Sequence, residues 1–277
     1  MAIKAVIFDI GGVVLGSPIV GVGEAEKLFD LPHHYINAHI TYLGEEGAFQ
    51  RLERGELALP DFEKQFGEEM SNVETGNKAY KLYCRKMNLD VPELPTKLNI
   101  DGSQLWSLMM GPALEPDPIM LDAINALRAS RKFKLAALTN NFAVPGEAPT
   151  PSKIDTLPHD RLLTHDELRQ SILDAAVNPS KKGSSSSLLK RQFDVFVESA
   201  VEGSRKPDPK FYQIALDRLG VKAEEAVFLD DIGRNLVAAK KMGIQTIRVH
   251  PSRSIEAVRE LEKLVEIPLQ GKAQAKL

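Results

Sequence analysis

The fold is decided by a stretch near the start of the chain, AIKAVIFDIGG, residues 2–12. Its run of Ile, Val and Phe predicts a buried strand over Ile3–Phe8. Asp9 follows the strand at once, and Gly11 and Gly12 then let the backbone turn tightly beside a ligand. We therefore interpret this stretch as the first strand of a domain, with Asp9 at the end where a ligand is bound.

Four further apolar runs have the same character, and helical patterns lie between them. The predicted strands are Lys134–Leu138, Phe193–Val197, Ala226–Leu229 and Gln245–Val249. The predicted helices are Pro118–Arg131, Phe211–Leu219, Asn235–Met242 and Ser254–Val265. This alternation predicts an α/β fold in which a parallel sheet carries helices on both faces.

Two regions depart from the alternation. Residues 17–113 contain no convincing strand but several helix-like segments, among them Gly47–Arg54 and Pro60–Met70, the latter with Asp61 as its N-cap. We expect a helical cap domain at 17–113, inserted after the first strand and covering the carboxyl edge of the sheet, and a core domain formed by 1–16 and 114–277. Residues 143–190 are predicted to be a flexible insertion within that core, because they hold several prolines and a Lys/Ser-rich run, with a helix in the middle.

Composition narrows the classes of function. The chain has 277 residues, 35 Lys and Arg against 38 Asp and Glu, and a formal net charge of −3. This balance gives no electrostatic reason to expect a nucleic-acid partner. No apolar run approaches the roughly 18 residues that a membrane span needs, so we expect no membrane partner either. A single cysteine, Cys84, cannot form an internal disulfide, which favours a reducing, intracellular location.

Polar residues follow four of the predicted strands. Besides Asp9 they are Thr139-Asn140, Lys206 and Asp230-Asp231. Parallel strands bring their carboxyl ends to one edge of the sheet, so we expect these side chains to meet. A carboxylate can attack phosphorus, paired acids hold Mg²⁺ through oxygen ligands, and Lys and Thr can neutralise the transferring group. The set therefore points to phosphoryl transfer.

These residues lie in stretches that resemble the four ordered motifs of the haloacid dehalogenase (HAD) superfamily. The stretches are Phe8-Asp9-Ile10-Gly11-Gly12-Val13, Leu138-Thr139-Asn140, Lys206-Pro207 and Phe228-Leu229-Asp230-Asp231-Ile232-Gly233. Within the superfamily the nearest resemblance is to the N-terminal phosphatase domain of soluble epoxide hydrolases. It implies a HAD-like Rossmannoid core with a helical cap, and a Mg²⁺-dependent phosphatase that hydrolyses a small phosphorylated metabolite through an aspartyl-phosphate.

The resemblance also implies a role for each matching residue. Asp9 would be the nucleophile and a metal ligand, and the Gly11 carbonyl and Asp231 would be further metal ligands, with Asp230 acting directly or through water. Thr139 and Asn140 would bind the phosphoryl group, Lys206 would neutralise charge between Asp9 and phosphate, and Asn235 would support the metal ligands from behind. The Lys206 loop is expected to be rigid, because Asp208 is placed to cap a helix that begins at Pro209.

One position departs from the phosphatase pattern. The residue two after the nucleophile is usually an Asp that protonates the leaving oxygen, but here it is Gly11. Two alternatives therefore stay open at this point. The first is a metal-independent 2-haloacid dehalogenase, which fits Gly11 but not the acidic pair Asp230-Asp231. The second is a catalytically weakened protein that binds a phosphorylated ligand.

Location and assembly are less constrained by the sequence. We expect a cytoplasmic protein, or a peroxisomal one if Ala275-Lys276-Leu277 acts as an address of the Ser-Lys-Leu type. The pattern of residues leaves a monomer and a homodimer equally open.

Overall fold

The computed structural model describes residues 2–142, 156–177 and 186–270. These ranges contain five strands, all parallel, in one sheet of order β3-β2-β1-β4-β5. The strands are β1 Ala5–Phe8, β2 Lys134–Thr139, β3 Val195–Glu198, β4 Ala226–Asp230 and β5 Gln245–Arg248. The five predicted strands and the parallel α/β fold are thus confirmed, with ends shifted by one or two residues.

The helices of these ranges fall into two sets. Between β1 and β2 lie α1 Pro18–Leu28, α2 Tyr35–Leu43, α3 Ala48–Glu53, α4 Leu59–Met70, α5 Val73–Met87, α6 Gly102–Met110 and α7 Pro118–Ser130. After β2 come α8 His165–Val177, α9 Ser187–Lys190, α10 Ser199–Glu202, α11 Pro209–Leu219, α12 Gly233–Lys241 and α13 Ser254–Val265. Short 3-10 turns lie at Gly44–Glu46, Pro112–Leu114 and Ala223–Glu225. Among all these helices, none has the length and apolar character needed to cross a bilayer.

The sheet has an apolar core on both faces, and its central strands β1 and β4 are buried along their whole length. Alternate residues of β1 point to opposite faces, so Val6 and Phe8 join one cluster of buried side chains while Ala5 and Ile7 join the other. Helices α7 and α13 pack together on the first face, and α11 and α12 cover the second. This burial on both faces explains why β1 and the first four residues of β4 are continuous apolar runs.

Helices α1–α6 contain a third cluster of buried side chains, which includes Phe62, Phe66, Leu105 and Trp106. Helix α4 begins at Leu59 after Ala58, so the prediction that Asp61 caps it was wrong; Asp61 lies inside the first turn. The ring of Phe142, just beyond β2, stands edge-on to Trp106 with 5.0 Å between centroids. The division into a cap at 17–113 and a core stays a prediction.

The predicted insertion at 143–190 is described only at residues 156–177 and 186–190. Residues 156–177 pack against the core, because Leu163, Leu168 and Ile172 are buried in the cluster beside α7. The flexible character expected of the insertion stays a prediction. The Asn125 amide exchanges hydrogen bonds with the backbone of Leu163, at 2.8 and 3.1 Å. The buried Arg128 guanidinium also donates to the carbonyls at 157, 158, 191 and 192. The Lys/Ser-rich run lies mostly outside the described residues.

Candidate active site

The expected site lies at the carboxyl ends of the three central strands. Asp9 directly follows β1, Thr139 ends β2, and Asp230 ends β4. Phe8 is in register with Ala137 on one side and with Leu229 on the other, which places Asp9 beside Asp230. The chain runs outward from β1 to β3 and then returns to β4 on the opposite side of β1, so the site is at the switch point of the sheet, where α/β proteins bind ligands.

Three carboxylates and one ammonium form the centre of the site. Asp9, Asp230 and Asp231 each offer one carboxylate oxygen, and these oxygens lie within 4.8 Å of one another. The Lys206 ammonium is 2.7 Å from Asp9 Oδ2 and 2.9 Å from Asp230 Oδ2. All four side chains are buried, and the exposed fraction of Lys206 is 0%. The structure therefore brings together four of the residues that the sequence predicted.

The charges in this centre do not balance. Burial raises the pKa of Asp9 well above its usual value, and Asp230 and Asp231 raise it further against the opposing effect of Lys206. Burial, with repulsion from Asp230, raises the pKa of Asp231 to about 6. Burial alone would lower the pKa of Lys206, but Asp230 and Asp9 outweigh it and the net direction is upward. Fully ionised, three carboxylates and one ammonium sum to −2, the charge that one divalent cation neutralises.

The surroundings of Asp231 fit an oxygen-coordinated cation. Its Oδ2 accepts a hydrogen bond of 3.1 Å from the Ser17 hydroxyl, whereas its buried Oδ1 has no hydrogen-bond partner among the described residues. A buried carboxylate oxygen without a donor is costly unless it binds something, and clustered carboxylate oxygens are the ligands that Mg²⁺ prefers. The residues present therefore suit a magnesium ion.

The two glycines after Asp9 are in different situations. At Gly12, φ is +82°, and a Cβ atom would lie 2.2 Å from Asp231 Oδ2, so only glycine fits there. At Gly11, a Cβ atom would meet Pro18 Cδ at 3.5 Å, which is ordinary contact. The backbone conformation at Gly11 therefore does not require glycine, and the usual aspartate would fit there. The role expected of the Gly11 carbonyl stays a prediction.

The loop that carries Lys206 is fixed by hydrogen bonds. The Asn140 amide accepts from Lys206 N at 2.9 Å and donates to Lys206 O at 3.2 Å. Asp208 accepts a hydrogen bond from Lys210 N and caps α11, whose first residue is Pro209, as predicted. Asn140 therefore has a function that the sequence did not indicate, since it holds the backbone of the lysine. Its contact with a phosphoryl group, and that of the buried Thr139, stay predictions.

Asn235 is placed behind the acidic residues. Its Nδ2 donates to both oxygens of Asp230 at 3.1 Å, and its carbonyl accepts from the Tyr212 hydroxyl at 2.9 Å. Asp230 Oδ1 also accepts from Ile232 N at 2.7 Å. With Lys206 on its other oxygen, Asp230 is held by donors on both sides, so it is the most constrained carboxylate of the three.

Sequence reasoning missed two sets of contacts at this site. Ser17 was not singled out, although a Ser followed by Pro is a helix-start signal and Ser17 caps α1. Arg205, next to Lys206, is buried and pairs with Glu53 at the end of α3. Nothing in the local sequence signals these pairs, because 214 residues separate Ser17 from Asp231 and 152 separate Glu53 from Arg205.

With this geometry established, the chain can be compared with known proteins. A family model for hydrolases, described as haloacid dehalogenase-like hydrolase, matches residues 3–243. The protein belongs to this family of hydrolases, and the HAD resemblance of its motifs is confirmed. The fold is also that of a HAD family enzyme from Bacteroides thetaiotaomicron, solved as a magnesium complex, with a TM-score of 0.52 and 17% identity over 91% of this chain and 96% of that one.

Two curated relatives match nearly the whole chain. Acyl-CoA dehydrogenase family member 10 of Mus musculus is 33% identical over 96% of this chain and 19% of its own length. Bifunctional epoxide hydrolase 2 of Mus musculus is 28% identical over 95% of this chain and 39% of its own length. The expected similarity to epoxide hydrolases is therefore confirmed. The chain spans only about a fifth to two fifths of these relatives, so their activities as whole proteins do not transfer directly.

Proposed function

We propose that this protein is a Mg²⁺-dependent phosphatase that hydrolyses a small phosphorylated metabolite through an aspartyl-phosphate on Asp9. The observation that carries the proposal is the cluster of Asp9, Asp230 and Asp231, with one oxygen of each within 4.8 Å, around the buried Lys206. A metal-independent dehalogenase has no use for this excess of negative charge. A phosphatase does, because a phosphate dianion approaches a carboxylate only when cations neutralise both.

In this proposal Asp9, Asp231, the Gly11 carbonyl and Asp230 hold the ion. When bound, Mg²⁺ supplies positive charge to the phosphoryl oxygens. The magnesium complex of the Bacteroides thetaiotaomicron enzyme supports this choice of metal.

The reaction itself is carried by side chains of the chain. A carboxylate oxygen of Asp9 attacks phosphorus, the P–O bond to the leaving group breaks, and an aspartyl-phosphate forms. Lys206 neutralises charge between Asp9 and the phosphoryl group, while Thr139 and Asn140 orient that group. Water then cleaves the acyl phosphate, releases inorganic phosphate and restores Asp9.

The substrate preference follows from Gly11. No side chain at this position can protonate the leaving oxygen, and such help is worth about 10²–10⁴ in rate. Substrates with good leaving groups, such as acyl phosphates, aryl phosphates, anomeric sugar phosphates or diphosphates, depend least on it. We propose that the physiological substrate is in this class, that it is enclosed under the helical cap, and that the enzyme is cytoplasmic. Residues 275–277, the candidate peroxisomal address, lie outside the described residues.

The direct test compares the wild type with Asp9→Asn. This substitution keeps the shape of the side chain and removes the nucleophile. With Mg²⁺ and p-nitrophenyl phosphate, we expect the variant to lose at least about 10³-fold in kcat while its melting temperature stays close to that of the wild type. Equal rates would end the claim for Asp9, and halide release from 2-chloropropionate in the presence of EDTA would establish the dehalogenase instead. No turnover of any ester, together with stabilisation by phosphate and Mg²⁺, would point to the binding protein.

A further inference from the structure

A buried ion pair joins the helical region to the loop that carries Lys206. Arg205 Nε and Nη2 lie 2.7 and 2.5 Å from Glu53 Oε2, at the end of α3. Arg205 Nη1 also lies 3.3 Å from Glu45 Oε1. The side chains of Arg205 and Glu53 are only 5% and 13% exposed. A charge pair this deeply buried is made only when the two regions are docked against each other.

The same segment makes a second close contact with the core. Gly55, with φ +73°, approaches α10 so closely that a Cβ atom would lie 2.5 Å from the carbonyl oxygen of Ala200. Arg54 braces the segment from within, since it lies 2.7 Å from a Glu45 carboxylate oxygen and donates to the Glu45 carbonyl at 2.8 Å. Residues 45–56 therefore meet the core on both sides of the turn that leads from α10 to Lys206.

This docking bears directly on the position of Lys206. Arg205 is its neighbour in the chain, and the Asn140 amide holds the Lys206 backbone in turn. Displacement of Arg205 would therefore shift the ammonium that lies between Asp9 and Asp230. A gain in stability is a poor reason to keep such a pair, because a buried ion pair often contributes no more than apolar residues of equal volume.

We propose that Glu53 is a positioning residue: through its ion pair with Arg205 it docks the helical region onto the Lys206 loop and holds the ammonium in its working position. The inference rests on the proposed phosphatase for its effect on rate, but the docking itself does not. Glu53 provides the anchor inside the interface, and Glu45 adds a weaker contact at its edge. The cap is then a part of the catalytic centre rather than only a cover over it.

The kinetic test uses Glu53→Gln with Glu56→Gln as its matched control. Glu56 lies in the same segment, but it pairs with Arg54 and Arg51, and in the described part of the chain it forms no ion pair with the core. A shift of about 1 Å in a catalytic group can cost about 10²-fold in rate, so we expect kcat of Glu53→Gln to fall by about 10²-fold with KM changed by less than about threefold. Glu56→Gln is expected to stay within about twofold of the wild type.

A double variant separates positioning from folding. Glu53→Gln leaves the buried Arg205 with its longer contact to Glu45, at 3.3 Å, so the single variant can lose stability for that reason alone. The test is a double-mutant cycle of Glu53→Gln and Arg205→Gln. If the two residues act as a unit, kcat of the double variant should be no lower than that of the slower single variant. Additive losses, or a kcat of folded Glu53→Gln within about twofold of the wild type, would overturn the proposal.

Hydrogen exchange supplies a readout that does not depend on turnover. In the absence of substrate, Glu53→Gln is expected to speed amide exchange at residues 45–56 and 199–206, and Glu56→Gln is expected to leave exchange at 199–206 unchanged. Unchanged exchange at 199–206 in Glu53→Gln would refute the docking, and faster exchange with normal kcat would refute the positioning. If the wild type hydrolyses no phosphate ester, the proposed function fails while the docking is still tested.

Discussion

Replacement of Gly11 by aspartate should extend the proposed phosphatase activity from substrates with good leaving groups to substrates with poor ones. The resemblance to HAD phosphatases indicates that an Asp at this position protonates the leaving oxygen. The wild type lacks that group, so its rate of phosphate release should depend steeply on the pKa of the leaving alcohol or phenol. Gly11→Asp supplies the missing proton donor and should therefore help poor leaving groups most.

The structure allows this substitution at little cost. A Cβ atom at Gly11 meets its nearest neighbour, Pro18 Cδ, at 3.5 Å, and φ is not in the left-handed region. A glycine in such a conformation can be replaced with a gain of about 0.4–1 kcal/mol, because the unfolded chain loses freedom. We therefore expect Gly11→Ala to fold at least as well as the wild type, and Gly11→Asp to do so with Mg²⁺ present, because its added carboxylate increases the negative charge of the site. General acid catalysis then predicts an increase of about 10²-fold or more in kcat for an alkyl phosphate, and a much smaller one for an aryl phosphate.

The assay is the ratio of two rates at saturating Mg²⁺: phosphate release from an alkyl phosphate and from p-nitrophenyl phosphate. The control is Gly11→Ala, which fills the same space without a carboxyl group. Saturating metal is needed because an added carboxylate beside the site also changes its affinity for cations. If Gly11→Asp and Gly11→Ala give the same ratio, or if both substrates gain equally, the reasoning about the missing acid is wrong.

Two further predictions concern the metal site. Gly12→Ala places a methyl group 2.2 Å from Asp231 Oδ2 and should abolish stabilisation by Mg²⁺ in thermal melts, whereas Gly11→Ala should retain it. Because the pKa of Asp231 is raised from 3.8 to about 6, the folded metal-free protein binds more protons than the unfolded chain between these pH values. This group alone should therefore raise the free energy of unfolding by about 1 kcal/mol as the pH falls from about 7 to about 5, in the same direction as the raised pKa of Asp9, and stabilisation by Mg²⁺ should shrink. Melting curves with and without Mg²⁺ check both trends, and a metal-free Asp231→Asn protein that keeps the same pH dependence would contradict the assignment.

The parts of the site that the sequence predicted share one physical origin. A parallel sheet puts the ends of its strands at one edge, so Asp9, Thr139 and Asp230 could be placed together from the positions of the strands alone. Lys206 could be added because it follows a strand and is locked by Asp208 and Pro209. Buried strands also produce continuous apolar runs, which is why their limits were predicted to within two residues.

The parts that could not be predicted depend on how distant segments pack. The contact of Ser17 with Asp231 and the pair of Glu53 with Arg205 exist only when the helical region lies against the sheet, and no periodicity in the sequence encodes that placement. The N-cap of α4 was misplaced for a local reason. Pro60 is tolerated in the first turn because its missing N–H needs no partner there, so the helix begins before Asp61 and not after it.

The contacts that the sequence did not reveal suggest how the cap and the chemistry are connected. Ser17 caps the first helix of the inserted region and also binds Asp231, while Glu53 reaches across from α3 to the residue beside Lys206. The helical region thus contacts both charged parts of the site: Asp231, the carboxylate that would hold the metal, and the loop that carries the Lys206 ammonium. Movement of this region would change the two together, because neither contact can be made while the region is lifted away. A cap attached in this way would complete the proposed catalytic centre only on closing, because both contacts form together.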